Sequence, residues 1–200
     1  EPVLRFFVVN KVKSSDSLNS MLKIMLCFSL PISGVLCIYD YEIISLVLGE
    51  SWVEYSLILS ISSVFVLQFS IYSIFEEYFI ANKKIKELVR FEFFQLFFLV
   101  CGLAIIGSFG DIFDFAIFRA FFSVVSILVM FLLLIRYFEV YFDGFTFFFI
   151  SIFISIIVSI SIVEFFLFNF LIEIFIFLLV YFALLYFLLG GIYYKKMDGK

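Results

Sequence analysis

Six apolar runs, each near the length of a membrane crossing and each bounded by clustered charge, constrain this chain more than any other feature. They cover residues 21–39, 55–75, 93–109, 112–135, 144–163 and 165–194. A helix needs about 20 mostly apolar residues to cross about 30 Å of hydrocarbon. The chain is 66% hydrophobic and only 15% charged, whereas soluble domains average near half and a quarter. The pattern predicts an all-α fold, a polytopic transmembrane helix bundle of about six spans. Only Gly110-Asp111 separates spans three and four, and only Glu164 separates five and six, so each pair is expected to form an antiparallel hairpin.

The charges between the runs alternate in sign. Arg5, Lys11, Lys13 and Lys23 precede or begin span one, and Lys83, Lys84, Lys86 and Arg90 lie between spans two and three. Arg136 follows span four, and Lys195, Lys196 and Lys200 follow span six. The opposite connections hold Asp40, Glu42, Glu50, Glu54, Asp111, Asp114 and Glu164 without a cation. Because cytoplasmic loops carry the positive excess, both ends of the chain are expected in the cytoplasm. Residues 1–20 then read as a cytoplasmic loop or the end of a preceding helix, 21–194 as the membrane lobe and 195–200 as a cytoplasmic tail. The opening Glu1-Pro2-Val3 carries neither an initiator Met nor a leader, so a piece of a longer protein is expected.

Composition also excludes chemistry. With no His, no His-containing zinc site, His-based triad or His acid/base step can be built. Cys27, Cys37 and Cys101 sit inside apolar runs and read as packing residues. The net charge of −4 lacks the basic excess that phosphate neutralisation requires, so nucleic acid is not expected as a partner. No phosphate-cradling glycine loop or paired-carboxylate site is present, and neither metal nor cofactor is expected.

Polar residues within the runs are the candidate functional groups. Ser56, Ser60, Ser63 and Ser70 on span two, and Ser151, Ser155 and Ser159 on span five, form stripes at helical spacing. Such stripes either let helices approach closely or line a polar cavity, to which Gln68 and Tyr72 would add. Pro31 and Gly34 mark span one as a candidate hinge or a static kink. A charge at a helix centre costs roughly 2.5 to 3.5 kcal/mol on insertion scales, which singles out Arg119 on span four and Glu173 on span six. They are candidates for an intramembrane ion pair or a cargo or ion contact; Arg119 can alternatively snorkel to the outer surface. Glu76 and Glu77 read as interfacial partners of the nearby basic cluster.

The stretch 31–82 resembles the second half of bacterial polysaccharide flippases, the O-antigen and capsule exporters of the multidrug/oligosaccharidyl-lipid/polysaccharide superfamily. The matching features are Leu30-Pro31-Ile32-Ser33-Gly34, an apolar outer segment from Glu42 that ends in Gly49-Glu50-Ser51-Trp52, and the inner turn Ala81-Asn82-Lys83-Lys84. Residues 1–20 are similar to the inner loop that precedes them. The resemblance implies one lobe of a two-lobed, twelve- to fourteen-helix transporter in the bacterial inner membrane. Its implied cargo is an oligosaccharide on undecaprenyl pyrophosphate, moved by alternating access. The implied partners are the N-terminal lobe of the same protein, the lipid bilayer, the lipid-linked cargo and a polysaccharide polymerase complex. No residue here matches a family-wide functional position, so Arg119 and Glu173 rest on membrane energetics alone.

Two other classes compete. A membrane-embedded polymerase commonly carries a large outer loop with Arg and His, whereas residues 40–54 hold four acids and no cation. A drug exporter of the same superfamily differs in cargo, and the Gly49 to Trp52 pattern leans toward the sugar-lipid branch. A channel or structural subunit is compatible with six spans.

Overall fold

The computed structural model describes residues 14–138, 150, 151, 153–155, 157 and 170–197, with side chains from residue 18 onward and, in the last helix, up to residue 186. All regular structure among them is helical. Helix α1 is Ser14–Ile38, α2 Asp40–Val47, then a 3-10 helix at Glu50–Tyr55, α3 Ser56–Ser62, α4 Val64–Ala81, α5 Ile85–Phe109, α6 Ile112–Phe138 and α7 Phe170–Met197. Four helical segments, Leu18–Ile38, Glu50–Ala81, Ile85–Phe109 and Ile112–Phe138, are long and apolar enough to cross a membrane. The shorter apolar stretch Phe170–Tyr186 belongs to α7. The fifth expected span falls on residues outside the described ones, apart from six helical positions between 150 and 157.

Helical periodicity sorts each element into a packed face and a lipid face. On α1, Leu18, Leu22, Leu26 and Leu30 are buried, while Ile24, Met25, Phe28 and Ile32 are exposed. Residues three and four apart share a helix face, and with a bilayer as solvent the exposed face needs no polar coat. Helix α7 repeats the pattern with Glu173, Phe177, Tyr181 and Leu185 buried at four-residue steps. Helix α1 packs mainly on α4, and α4 on α6; α5 lies outside, closing against α4 and α6. Only Leu88 and Phe91 of α5 are buried, and Phe93, Phe94, Phe97, Phe98 and Phe109 face outward. Much of the Phe richness is therefore lipid contact.

The connections differ from the sequence expectation in three places. The outer loop 40–54 is helical: Asp40 and Glu42 occupy the first turn of α2, where carboxylates suit the positive end of the helix dipole. The segment has no buried residue. Tyr41, Leu46, Val47, Leu48 and Trp52 are all exposed, a surface suited to the headgroup boundary. The basic loop shrinks to a turn at residues 82–84, because α5 begins at Ile85 and carries Lys86 and Arg90 itself; Glu87 pairs with Arg90 at 3.1 Å. Helix α1 begins at Ser14, so residues 14–20 extend span one and do not form a separate loop.

The hairpin between α5 and α6 is as short as expected. Asp111 Oδ1 accepts the backbone N–H groups of Phe113 and Asp114 at 2.8 and 3.0 Å, and Asp114 Oδ2 accepts the N–H of Asp111 at 3.0 Å. This reciprocal cap satisfies donors that the first turn of a helix otherwise leaves unpaired.

The packed faces divide by polarity along their length. Toward the end that bears Lys83 to Arg90, the basic end, Phe75, Tyr78, Phe79, Leu88, Phe91, Met130 and Leu134 form one core cluster with α1 and α7. Phe75 stacks near Phe79 and Phe91 at 4.3 and 5.2 Å between centroids, and Phe138 closes on Tyr78 and Phe79 at 4.6 and 5.0 Å. One or two turns toward the opposite, acidic end, the inward faces of α4, α5 and α6 become polar.

Candidate functional site

The polar part of the bundle is built by three helices. On α6, Arg119, Ser123 and Ser126 follow i, i+4, i+7 spacing and share one face, directly preceding Met130 and Leu134 on the same stripe. Helix α4 brings Phe65, Gln68, Phe69 and Tyr72, and α5 brings Gln95. Phe65, Gln68, Phe69, Tyr72, Gln95 and Arg119 line a cavity of about 280 Å³.

Hydrogen bonds fix its walls. The Ser123 hydroxyl donates to Gln68 Oε1 at 2.6 Å and lies 2.9 Å from the Arg119 carbonyl; with a single proton it serves one acceptor at a time. Gln95 Nε2 donates to Ser126 Oγ at 2.9 Å. The Tyr72 hydroxyl donates to the Glu92 carboxylate. Gln68, Ser123 and Ser126 are buried, so these amide and hydroxyl pairs join helices where lipid supplies no alternative partner.

Arg119 sits about 10 Å along α6 from its acidic end at 1.5 Å per residue. Its guanidinium carbon lies 5.2 Å from the Phe65 ring centroid and 5.9 Å from that of Phe122. Stacking engages the flat face of a guanidinium and leaves its N–H edge for planar or tetrahedral oxyanions. Among the described residues no carboxylate forms an ion pair with it. The expected ion pair between Arg119 and Glu173 is not formed in the structure: Arg119 lies over the Phe65 and Phe122 rings, and Glu173 is buried on α7. Helix α7 packs on α1, and its Tyr181 and Leu185 share the core cluster of Met130 and Leu134 of α6, but Glu173 and Arg119 form no ion pair.

Pro31 and Gly34 are both buried within α1, which stays helical through them. Proline withholds the N–H that would bond the carbonyl four residues earlier. Between them in sequence, Ser33 reaches an interruption of span two: α3 and α4 are separated at Ser63, and the Ser33 hydroxyl donates to the Ser63 carbonyl at 2.9 Å. Ser60 donates to the Cys37 carbonyl at 3.0 Å. Ser60 and Ser63 therefore serve the seam with α1, while Ser70 turns back on Val66 of its own helix. Ser151 and Ser155 are fully buried, and Ser159 lies outside the described residues.

Reading the sequence singled out Arg119, Gln68 and Tyr72 separately, and the structure brings them to one cavity. It passed over Gln95 and Glu92. The available signal was an amide and a carboxylate three residues apart on a helix otherwise rich in Phe. Among the described residues no group of three or more Cys, Asp or Glu side chains converges as a metal site.

No family model, no curated protein and no solved structure matches this chain.

Proposed function

We propose that the chain is one lobe of a transporter that moves an oligosaccharide linked to undecaprenyl pyrophosphate across the bacterial inner membrane, for O-antigen or capsule assembly, by alternating access. The observation that carries this reading is the intramembrane cavity in which Arg119 stands beside Gln68, Tyr72 and Gln95. A guanidinium with no carboxylate partner among the described residues suits a phosphate anion. Amide and phenol groups suit sugar hydroxyls, which both donate and accept. The apolar cluster between this cavity and the basic end supports a mechanism in which access is open to one side at a time. The resemblance over residues 31–82 agrees with it.

The test is genetic and chemical together. Cells lacking the gene, and without a second flippase, should lose surface polysaccharide and retain lipid-linked oligosaccharide inside. Arg119→Met should reproduce this at unchanged membrane abundance, with Arg119→Lys intermediate. Normal surface polysaccharide in the deletion strain would overturn the proposal.

A further inference from the structure

A second cavity adjoins the polar one on the lipid side of the bundle. It occupies about 560 Å³ between α5 and α6, and its lining includes Phe94, Phe98, Gly102, Phe118, Phe121 and Val125. Three features connect the two. Gln95 lines both. Ser126, which accepts the Gln95 amide, lines the apolar one. Phe122, whose ring lies under Arg119, lines it as well.

We propose that the two cavities form one site for an anionic phospholipid or polyprenyl phosphate of the leaflet at the acidic end, its phosphate at Arg119 and its hydrocarbon chain in the α5–α6 groove. This deepens the proposed transport function by naming where the lipid part of a cargo binds, yet it holds for lipid binding whether or not the chain transports oligosaccharide.

Geometry and charge argue for it together. On α6 the groove runs from Phe118 to Val129, about 16 Å along the axis, which is near half of a bilayer's hydrocarbon thickness of about 30 Å. It starts level with Arg119 and continues toward the middle of the helix, as a chain hanging from a phosphate at that residue would. A cation at this depth with no ion-pair partner among the described residues is costly, and an anion delivered by a lipid offsets that cost without leaving the membrane. Close approach of the helices shapes the groove floor. A Cβ at Gly102 would stand 2.0 Å from Phe118 Cζ, so with Phe118 where it lies, this position against the groove has room for glycine alone.

The experiment uses the full-length protein in nanodiscs with a photo-reactive phenylalanine analogue in place of Phe121, inside the groove, or of Phe97, on the exposed side of α5 outside it. Four probes are compared: undecaprenyl phosphate, phosphatidylglycerol, undecaprenol and diacylglycerol. Capture at position 121 should favour a charged lipid over its neutral counterpart by about tenfold or more, the scale of a charge-assisted hydrogen bond. Arg119→Met should abolish that preference, Arg119→Lys should retain part of it, and position 97 should show none. Capture of undecaprenyl phosphate supports both this site and the transport reading. Charge-dependent capture of phosphatidylglycerol alone supports the site and counts against the lipid-linked cargo. Equal capture of charged and neutral lipids at position 121 overturns the proposal without any mutant, and so does a signal at 97 equal to that at 121.

Discussion

The hydroxyl of Ser33 donates to the carbonyl of Ser63 at 2.9 Å, so the proline-containing turn of α1 is bonded to the point where the second span breaks. Two helix irregularities in different spans thus meet, and the Ser33 hydroxyl gives the Ser63 carbonyl a second donor beside the Val66 N–H at 3.1 Å.

Replacing Ser33 with Ala should therefore lower stability by about 0.6 to 1.7 kcal/mol, the range measured for interhelical bonds in membranes. Ser70→Ala, which removes only a bond to Val66 within its own helix, should cost less. Thermal unfolding of the two variants in one detergent checks the order, and equal losses would detach the effect from the seam.

Gly49 joins α2 to the 3-10 helix with φ 94° and ψ 166°, a backbone region that is essentially glycine's alone. No neighbouring atom blocks a Cβ there, so the penalty for Gly49→Ala is conformational, about 1 to 3 kcal/mol. Because the strain is local to the acidic-end surface, limited proteolysis should show 40–55 loosening before the bundle unfolds.

Gly102→Ala collides with the Phe118 ring and should destabilise the α5–α6 contact by about 1 to 3 kcal/mol, the usual cost of overpacking. Shortening the ring should relieve it: Gly102→Ala with Phe118→Leu should be more stable than Gly102→Ala alone. A double-mutant cycle on unfolding midpoints measures the coupling, and additive losses would mean that the two positions do not press on each other.

Glu173 is 8% exposed and has no cation within ion-pair distance among the described residues. Glu173→Gln should leave stability unchanged or raise it, since a buried carboxylate without a cation is unfavourable. A fall in melting temperature on Glu173→Gln would reveal a stabilising partner for the carboxylate.

What the sequence made legible was set by period and charge. The α5–α6 hairpin and the existence of the first four apolar helices follow from run lengths and the charges between them. The helix at Asp40–Val47 was not legible as one, because Ile43 to Leu48 is too short to span and its acids suggested a solvated loop; a helix dipole and a headgroup boundary reconcile the two. The start of α5 was obscured by Lys86 and Arg90, charges that a helix readily carries beyond the hydrocarbon. At the site, single-residue reasoning found Arg119 but paired it by depth alone. Depth along two helices does not say which faces meet, and the buried face of α7 that carries Glu173 does not bring it within ion-pair distance of Arg119. Gln95 was hidden because nothing on its own helix names the residue that its amide bonds. Its partner, Ser126, is supplied by the fold.

The aromatic cluster of Phe75, Tyr78, Phe79, Phe91 and Phe138 has a consequence for the cell as well as for the bundle. A polar hollow that holds a cation within a bilayer is a potential leak for ions. The rings of Phe75, Tyr78 and Phe79, fully buried toward the basic end, present a passing ion with a stretch that offers no counter-charge, so the same side chains that hold the bundle together also insulate it.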